Sequence, residues 1–88
     1  MQIETDIKML KSMISVLESC CEELTNKYSN SYVRCYYESW DYKRIIKVTD
    51  VTISDGTLVV LGKDQYGVVH YYYSHAHFEM VDGWFLEE

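Results

Sequence analysis

Eighty-eight residues support one hydrophobic core and leave no room for a second. The chain carries 14 Asp and Glu against 8 Lys and Arg, a net charge of −6. It therefore lacks the basic face that duplex nucleic acid demands, and direct binding of duplex DNA is not expected. With 48% apolar residues, no proline and no apolar run long enough to span a bilayer, residues 1–88 read as one folded domain without a membrane segment.

The opening stretch, MQIETDIKML, lacks the charged-then-apolar layout of a secretion signal. Cys20, Cys21 and Cys35 are odd in number and form no CxxC or Cys/His spacing. They read as small buried hydrophobes in a reducing compartment, and the expected location is the cytoplasm.

Residues 1–29 are expected to form one long helix. Ile3, Ile7, Leu10, Ile14, Leu17, Cys21, Leu24 and Tyr28 are spaced alternately four and three apart, a heptad seam with Ile7, Ile14, Cys21 and Tyr28 at a and Ile3, Leu10, Leu17 and Leu24 at d. A second row, Met9, Met13, Val16 and Cys20, lies beside it. A single sheet needs only one such stripe, so the double row predicts self-association as a homodimer through this helix, with the helix as cover for its own sheet the simpler alternative.

Residues 32–86 are expected to be antiparallel strands. Over 32–40, Val33, Cys35, Tyr37 and Ser39 make the better core face, and Tyr32, Arg34, Tyr36, Glu38 and Trp40 the outer one. Ser39 to Tyr42 reads as a turn. Asp55-Gly56 between two β-branched runs predicts a tight hairpin. The parity of Ile46 and Val48 differs from that of Val51 and Ile53, which predicts a bulge near Thr49-Asp50. A second hairpin turns at 63–67 and runs out through Tyr71-Tyr72-Tyr73, and a last strand covers 78–81. The fold class is α+β: one long N-terminal helix packed on a bent antiparallel meander of four or five strands, with closure into a small barrel left open. This order of elements resembles that of the Sm-like and SH3-like small barrels. The likeness lies in element order alone, and no residue role is carried over from it.

Residues with chemistry are few. His75 and His77 are two apart, but a metal needs further ligands and only Glu79 and Asp82 lie near, so no metal and no cofactor are expected. Cys35 or Ser74 could serve as nucleophiles only beside a base that nothing in the sequence places there. No glycine-rich phosphate loop occurs, and an enzyme is not expected.

The unusual feature is nine tyrosines and two tryptophans. Tyrosine offers large rigid area with a polar tip, which suits it to interfaces. Tyr36, Trp40, Tyr42, Tyr71 and Tyr73 are the expected partner-binding residues. The chain thus reads as a small acidic interaction protein that binds another protein, a nucleic-acid-binding one among the candidates, and inhibits or tethers it. In size, charge and tyrosine content it resembles the small anti-defence inhibitors of phages, such as anti-CRISPR proteins. The charge is uneven: residues 34–47 hold Arg34, Lys43, Arg44 and Lys47 against Glu38 and Asp41. The alternative is accordingly a small-ligand or nucleotide binder at a dimer interface, with Tyr36, Trp40 and Tyr42 stacking on a base and Arg34, Lys43 and Arg44 holding phosphate.

Overall fold

The computed structural model describes residues 2–12 and 18–84. Two helices, α1 (Gln2–Ser12) and α2 (Glu18–Tyr28), precede five strands: β1 (Tyr32–Tyr36), β2 (Arg44–Ser54), β3 (Thr57–Lys63), β4 (Val69–Tyr73) and β5 (His77–Val81). All pairings are antiparallel, and the sheet order is β4-β3-β2-β1-β5. No helix among the described residues is long and apolar enough to cross a membrane.

The expectation of one long helix is corrected. A straight helix over 3–28 would be about 39 Å long, beyond the 37 Å longest dimension of the molecule. The two helices instead turn back on each other. Asp6 Oδ2 on α1 accepts a hydrogen bond from the Tyr28 hydroxyl at 2.5 Å and from Lys27 Nζ at 3.0 Å, both on α2. In a single helix residues 22 apart would be separated by about 33 Å. The heptad seam, where described, faces the protein's own sheet: Ile3, Ile7, Cys21 and Tyr28 are all buried. Leu10, Met13, Ile14, Val16, Leu17 and Cys20 have side chains outside the described residues, as do Phe85 to Glu88.

One connection dictates the shape of the sheet. β4 and β5 lie at its opposite edges, yet only residues 74–76 join them. Across a flat sheet four inter-strand gaps amount to about 19 Å, whereas the chain from Tyr73 to His77 can reach at most about 14 Å. The sheet has to curl. Two local features allow it. The register of β2 against β3 shifts between Val48 and Asp50, a bulge that brings Ile46, Val48 and Val51 all into the core. Ile53, expected on the same face, is exposed. Opposite Val48 on β3 stands Gly62, where a Cβ would lie 2.7 Å from the Lys47 carbonyl oxygen and 2.8 Å from Ile46 Cδ1. Only glycine permits that approach. Thr25 on α2 holds the bulge from the helix side: its hydroxyl accepts from the Val51 amide at 2.8 Å and lies 3.0 Å from Asp50 Oδ1.

The curl stops short of a barrel, and closure is corrected in turn. The Tyr73 amide, which could begin a β4–β5 ladder, donates instead to the Tyr37 hydroxyl at 2.9 Å. The Tyr73 carbonyl is taken by the Ala76 amide within the turn. Asp55 and Gly56 both adopt positive φ, 51° and 75°, as the tight hairpin between β2 and β3 requires. The core between helices and sheet holds Ile3, Ile7, Val33, Cys35, Ile46, Val48, Val60, Tyr72 and Phe78. Cys35 is buried, and desolvation pushes its thiol far above the ordinary range.

Gly62→Ala is expected to destabilise by about 1–3 kcal/mol, because backbone and a core side chain both occupy the space. Urea unfolding measures it, and an unchanged midpoint would remove Gly62 from the account of the bend. Asp6→Ala is expected to cost about 2 kcal/mol, since a carboxylate accepting from both Tyr28 and Lys27 joins the two helices. Equal stability of that variant would show that apolar contact alone holds the helix pair.

Candidate functional site: an aromatic groove beside an acidic rim

Strand β1 ends at Tyr36, earlier than the alternation over 32–40 suggests. Tyr37 therefore lies outside the strand, still packed against the core, and begins the loop of residues 37–43 between β1 and β2. Because the sheet curls, this loop lies against the outer edge of β4 and the 74–76 turn. Tyr37 is the join. Its hydroxyl holds the Tyr73 amide, and its ring meets Trp40 at 5.0 Å, His75 at 4.9 Å and the buried Tyr72 at 5.8 Å between centroids.

From Tyr37 a row of rings extends both ways. Trp40 stacks on Tyr42 at 4.5 Å with 14° between planes. In the other direction His75 stacks on Tyr73 at 6.0 Å, and Tyr73 meets Tyr71 edge-on at 5.6 Å. The alternation of Tyr71-Tyr72-Tyr73 is as expected: Tyr72 is 1% exposed, whereas Tyr71 and Tyr73 are 59% and 38% exposed. Burial of Tyr72 pushes its phenol up to about 12, and Arg44 Nη1 donates to its oxygen at 3.1 Å. Between loop and strand the rings enclose an open groove of about 560 Å³, lined by Tyr37, Glu38, Ser39, Trp40, Tyr71, Tyr73 and His75.

The structure thus brings Trp40, Tyr71 and Tyr73 to one groove. Tyr42 joins through Trp40, while Tyr36 lies across the loop ridge in a second cleft of about 320 Å³ with Glu38, Trp40, Tyr42, Lys43 and His77. The three cations do not meet. Arg34 Nε donates to Glu79 Oε2 at 2.9 Å, and its Nη2 makes a further short contact with the same oxygen. Glu79 also accepts from the Tyr36 hydroxyl at 3.0 Å. These donors, Arg34 above all, hold the Glu79 carboxyl below its usual range. Lys43 lies over the Tyr36 ring at 4.7 Å, and Arg44 over Trp40 and Tyr42, each at 5.7 Å. Lys43 and Arg44 do share a smaller cleft of about 230 Å³ with Tyr42, Asp64, Tyr66 and Trp84.

The two histidines diverge. His75 belongs to the groove, in the turn before β5. His77 opens β5, stacks on Tyr36 at 4.9 Å and stands between two carboxylates: Nδ1 is 3.1 Å from Glu4 on α1, and Nε2 is 2.8 Å from Glu38 on the loop. The contact with Glu38, then that with Glu4, raises its pKa above the ordinary value. Among the described residues no three His, Cys, Asp or Glu side chains gather as a metal-holding group.

Tyr37, His75 and Glu38 are the site residues that sequence reasoning passes over. For Tyr37 a partial signal exists: the turn read at Ser39 to Tyr42 begins two residues after it. No protein-family model, no curated protein and no solved structure matches the chain.

His77 ties α1, β5 and the loop together only when both ring nitrogens carry protons to donate. Its folded pKa is raised above the ordinary 6.5. The stability it contributes is therefore complete below the unfolded value and is lost as pH rises through the folded one. The melting-temperature gap between the parent and His77→Asn is expected to be widest near pH 6 and to shrink by about pH 9. A gap that stays constant over this range would show that protonation is not what the two carboxylates read.

Proposed function

We propose that this chain binds another protein through the row of rings from Tyr71 to Tyr42, and that by seating there it blocks or tethers its partner. The observation that carries this is the row itself. Six rings (Tyr71, Tyr73, His75, Tyr37, Trp40 and Tyr42) follow one another at 4.5 to 6.0 Å, with Tyr42 half exposed and Tyr71 more so. A core needs its rings inside, whereas five of these six, all but Tyr42, line an open groove. Their neighbours hold them in place: Tyr37 is fixed by the Tyr73 amide, and Trp40 packs on the core. Rings already ordered lose little entropy on binding, which makes them effective anchors.

The charge of the chain selects the kind of partner. A body of net −6 attracts a basic surface and repels an acidic one, and it speeds encounter most at low salt. A nucleic-acid-binding protein presents such a surface, and a small acidic domain seated on it would exclude the nucleic acid. The nucleotide alternative is served less well. Trp40 and Tyr42 already stack on each other and leave no slot for a base between them. Arg34, one of its three phosphate-holding cations, is engaged with Glu79.

Tyr71→Ala with Tyr73→Ala is expected to weaken partner binding by at least about 30-fold, the effect of losing an aromatic anchor worth roughly 2 kcal/mol. Both side chains are exposed, so the fold should survive, as circular dichroism would report. The test is quantitative capture from lysate of the native host on immobilised parent and double variant. Equal recovery of the same proteins on a folded double variant would defeat the proposal.

A further inference from the structure

We propose that the groove between the 37–43 loop and β4 is a receptor for one cationic side chain, an arginine or lysine that the protein partner presents. This rests on the protein-binding reading above and adds the chemistry of the group that enters.

The rings of the groove are set as walls: Tyr71 stands at 85° to Tyr73, and Tyr37 at 72° to Trp40. An aromatic face carries negative potential, and a cation lying over it is attracted, most of all where water is partly excluded. The chain disposes of its own cations in this way. Lys43 lies over Tyr36, Arg44 over Trp40 and Tyr42, and Lys47 over Tyr32. Among the described residues no lysine or arginine is placed over Tyr37, Tyr71 or Tyr73, the rings on which the groove is centred.

Glu38 completes the site at the rim. One oxygen, Oε2, is held by His77 Nε2, which orients the carboxylate; Oε1 has no partner among the described residues, and the side chain is 91% exposed. Among the described residues the groove lining contains no lysine or arginine. An anion entering would meet this carboxylate and the negative ring faces. An apolar side chain would strip water from Glu38 and return nothing to it. A guanidinium or ammonium satisfies both, with its methylene stem lying along Tyr71 and Tyr73. A space of about 560 Å³ admits such a side chain together with the backbone that carries it.

The test uses the full chain, ¹⁵N-labelled, titrated with the peptide acetyl-Gly-Arg-Gly-amide and with its citrulline counterpart, which has the same shape without the charge. The arginine peptide is expected to shift the Trp40 indole N–H and the backbone signals of 37–40 and 71–75. The citrulline peptide should bind roughly tenfold more weakly. Glu38→Gln should weaken the arginine peptide, with changes in the free protein's spectrum confined to the loop and His77, which Glu38 contacts, and a lysine peptide should shift the same signals. Equal binding of the citrulline peptide, or no shifts with arginine at tens of millimolar, would overturn the assignment. If the arginine peptide fails while partner capture still depends on Tyr71 and Tyr73, the cation receptor falls and the protein-binding reading stands. If the peptide binds as described but the tyrosine double variant captures the partner as well as the parent does, the cation site stands and the protein-binding reading falls.

Discussion

Three residues, Ser74 to Ala76, link strands that occupy opposite edges of one five-stranded sheet. A flat sheet cannot satisfy that link, so the rest of the architecture follows from the bend. The bend needs a place where one strand gains a residue and its neighbour loses a side chain, and these are the bulge after Val48 and the facing Gly62. It also needs the bulged segment to have its polar groups met from the concave side, which is what Thr25 supplies to Val51. Curvature of this kind lets two short helices cover the inner face where one long helix would overhang it. α2 lies against β2, α1 against β5, and Asp6 joins the pair.

The same bend makes the groove. Tyr37, in the loop that follows β1, and Tyr73 on β4 are 36 residues apart, and β1 and β4 are not neighbours in the sheet, yet a hydroxyl-to-amide bond connects them. That bond has two effects at once. It blocks the ladder that would close the sheet, and it seats the ring at the centre of the aromatic row. Around this row the charges are sorted. Arg34 is met by Glu79, and Lys43, Arg44 and Lys47 lie over rings, so the locally basic segment 34–47 offers few unengaged cations. Glu38 stays at the surface and keeps an oxygen outward. The acidic character of the whole chain is thus preserved at the groove, although its local sequence is basic.

What was legible in the chain was local. Asp55-Gly56 forces its turn through positive φ, the parity slip between Val48 and Val51 reports the bulge, and Tyr71-Tyr72-Tyr73 has to divide between two faces. The helix break was not legible, because a heptad seam folded back onto one sheet has the same period as an uninterrupted one. The difference lies in Asp6 meeting Tyr28, a contact the spacing does not encode. Nothing in the sequence around Gly62 marks it as a point of close approach, since the neighbour that demands glycine is on another strand. The groove was half legible. Its exposed members could be picked from composition and alternation, but Tyr37 and His75 join them only through the curl of the sheet, which depends on contacts far apart in sequence.

The contact of α1 with β5 closes the structure between its first helix and its last strand. Glu4 and His77 meet across 73 positions, and β5 supplies the outer partner of β1 as well as the strand on which α1 rests. During synthesis, therefore, the opening helix emerges long before the surface it covers exists. Ile3 and Ile7 then lack the strand that α1 contacts most until His77 to Val81 have left the ribosome. Assembly of this domain is held back until β5 is available and then proceeds as one cooperative event, at the slower pace set by pairings so distant along the chain.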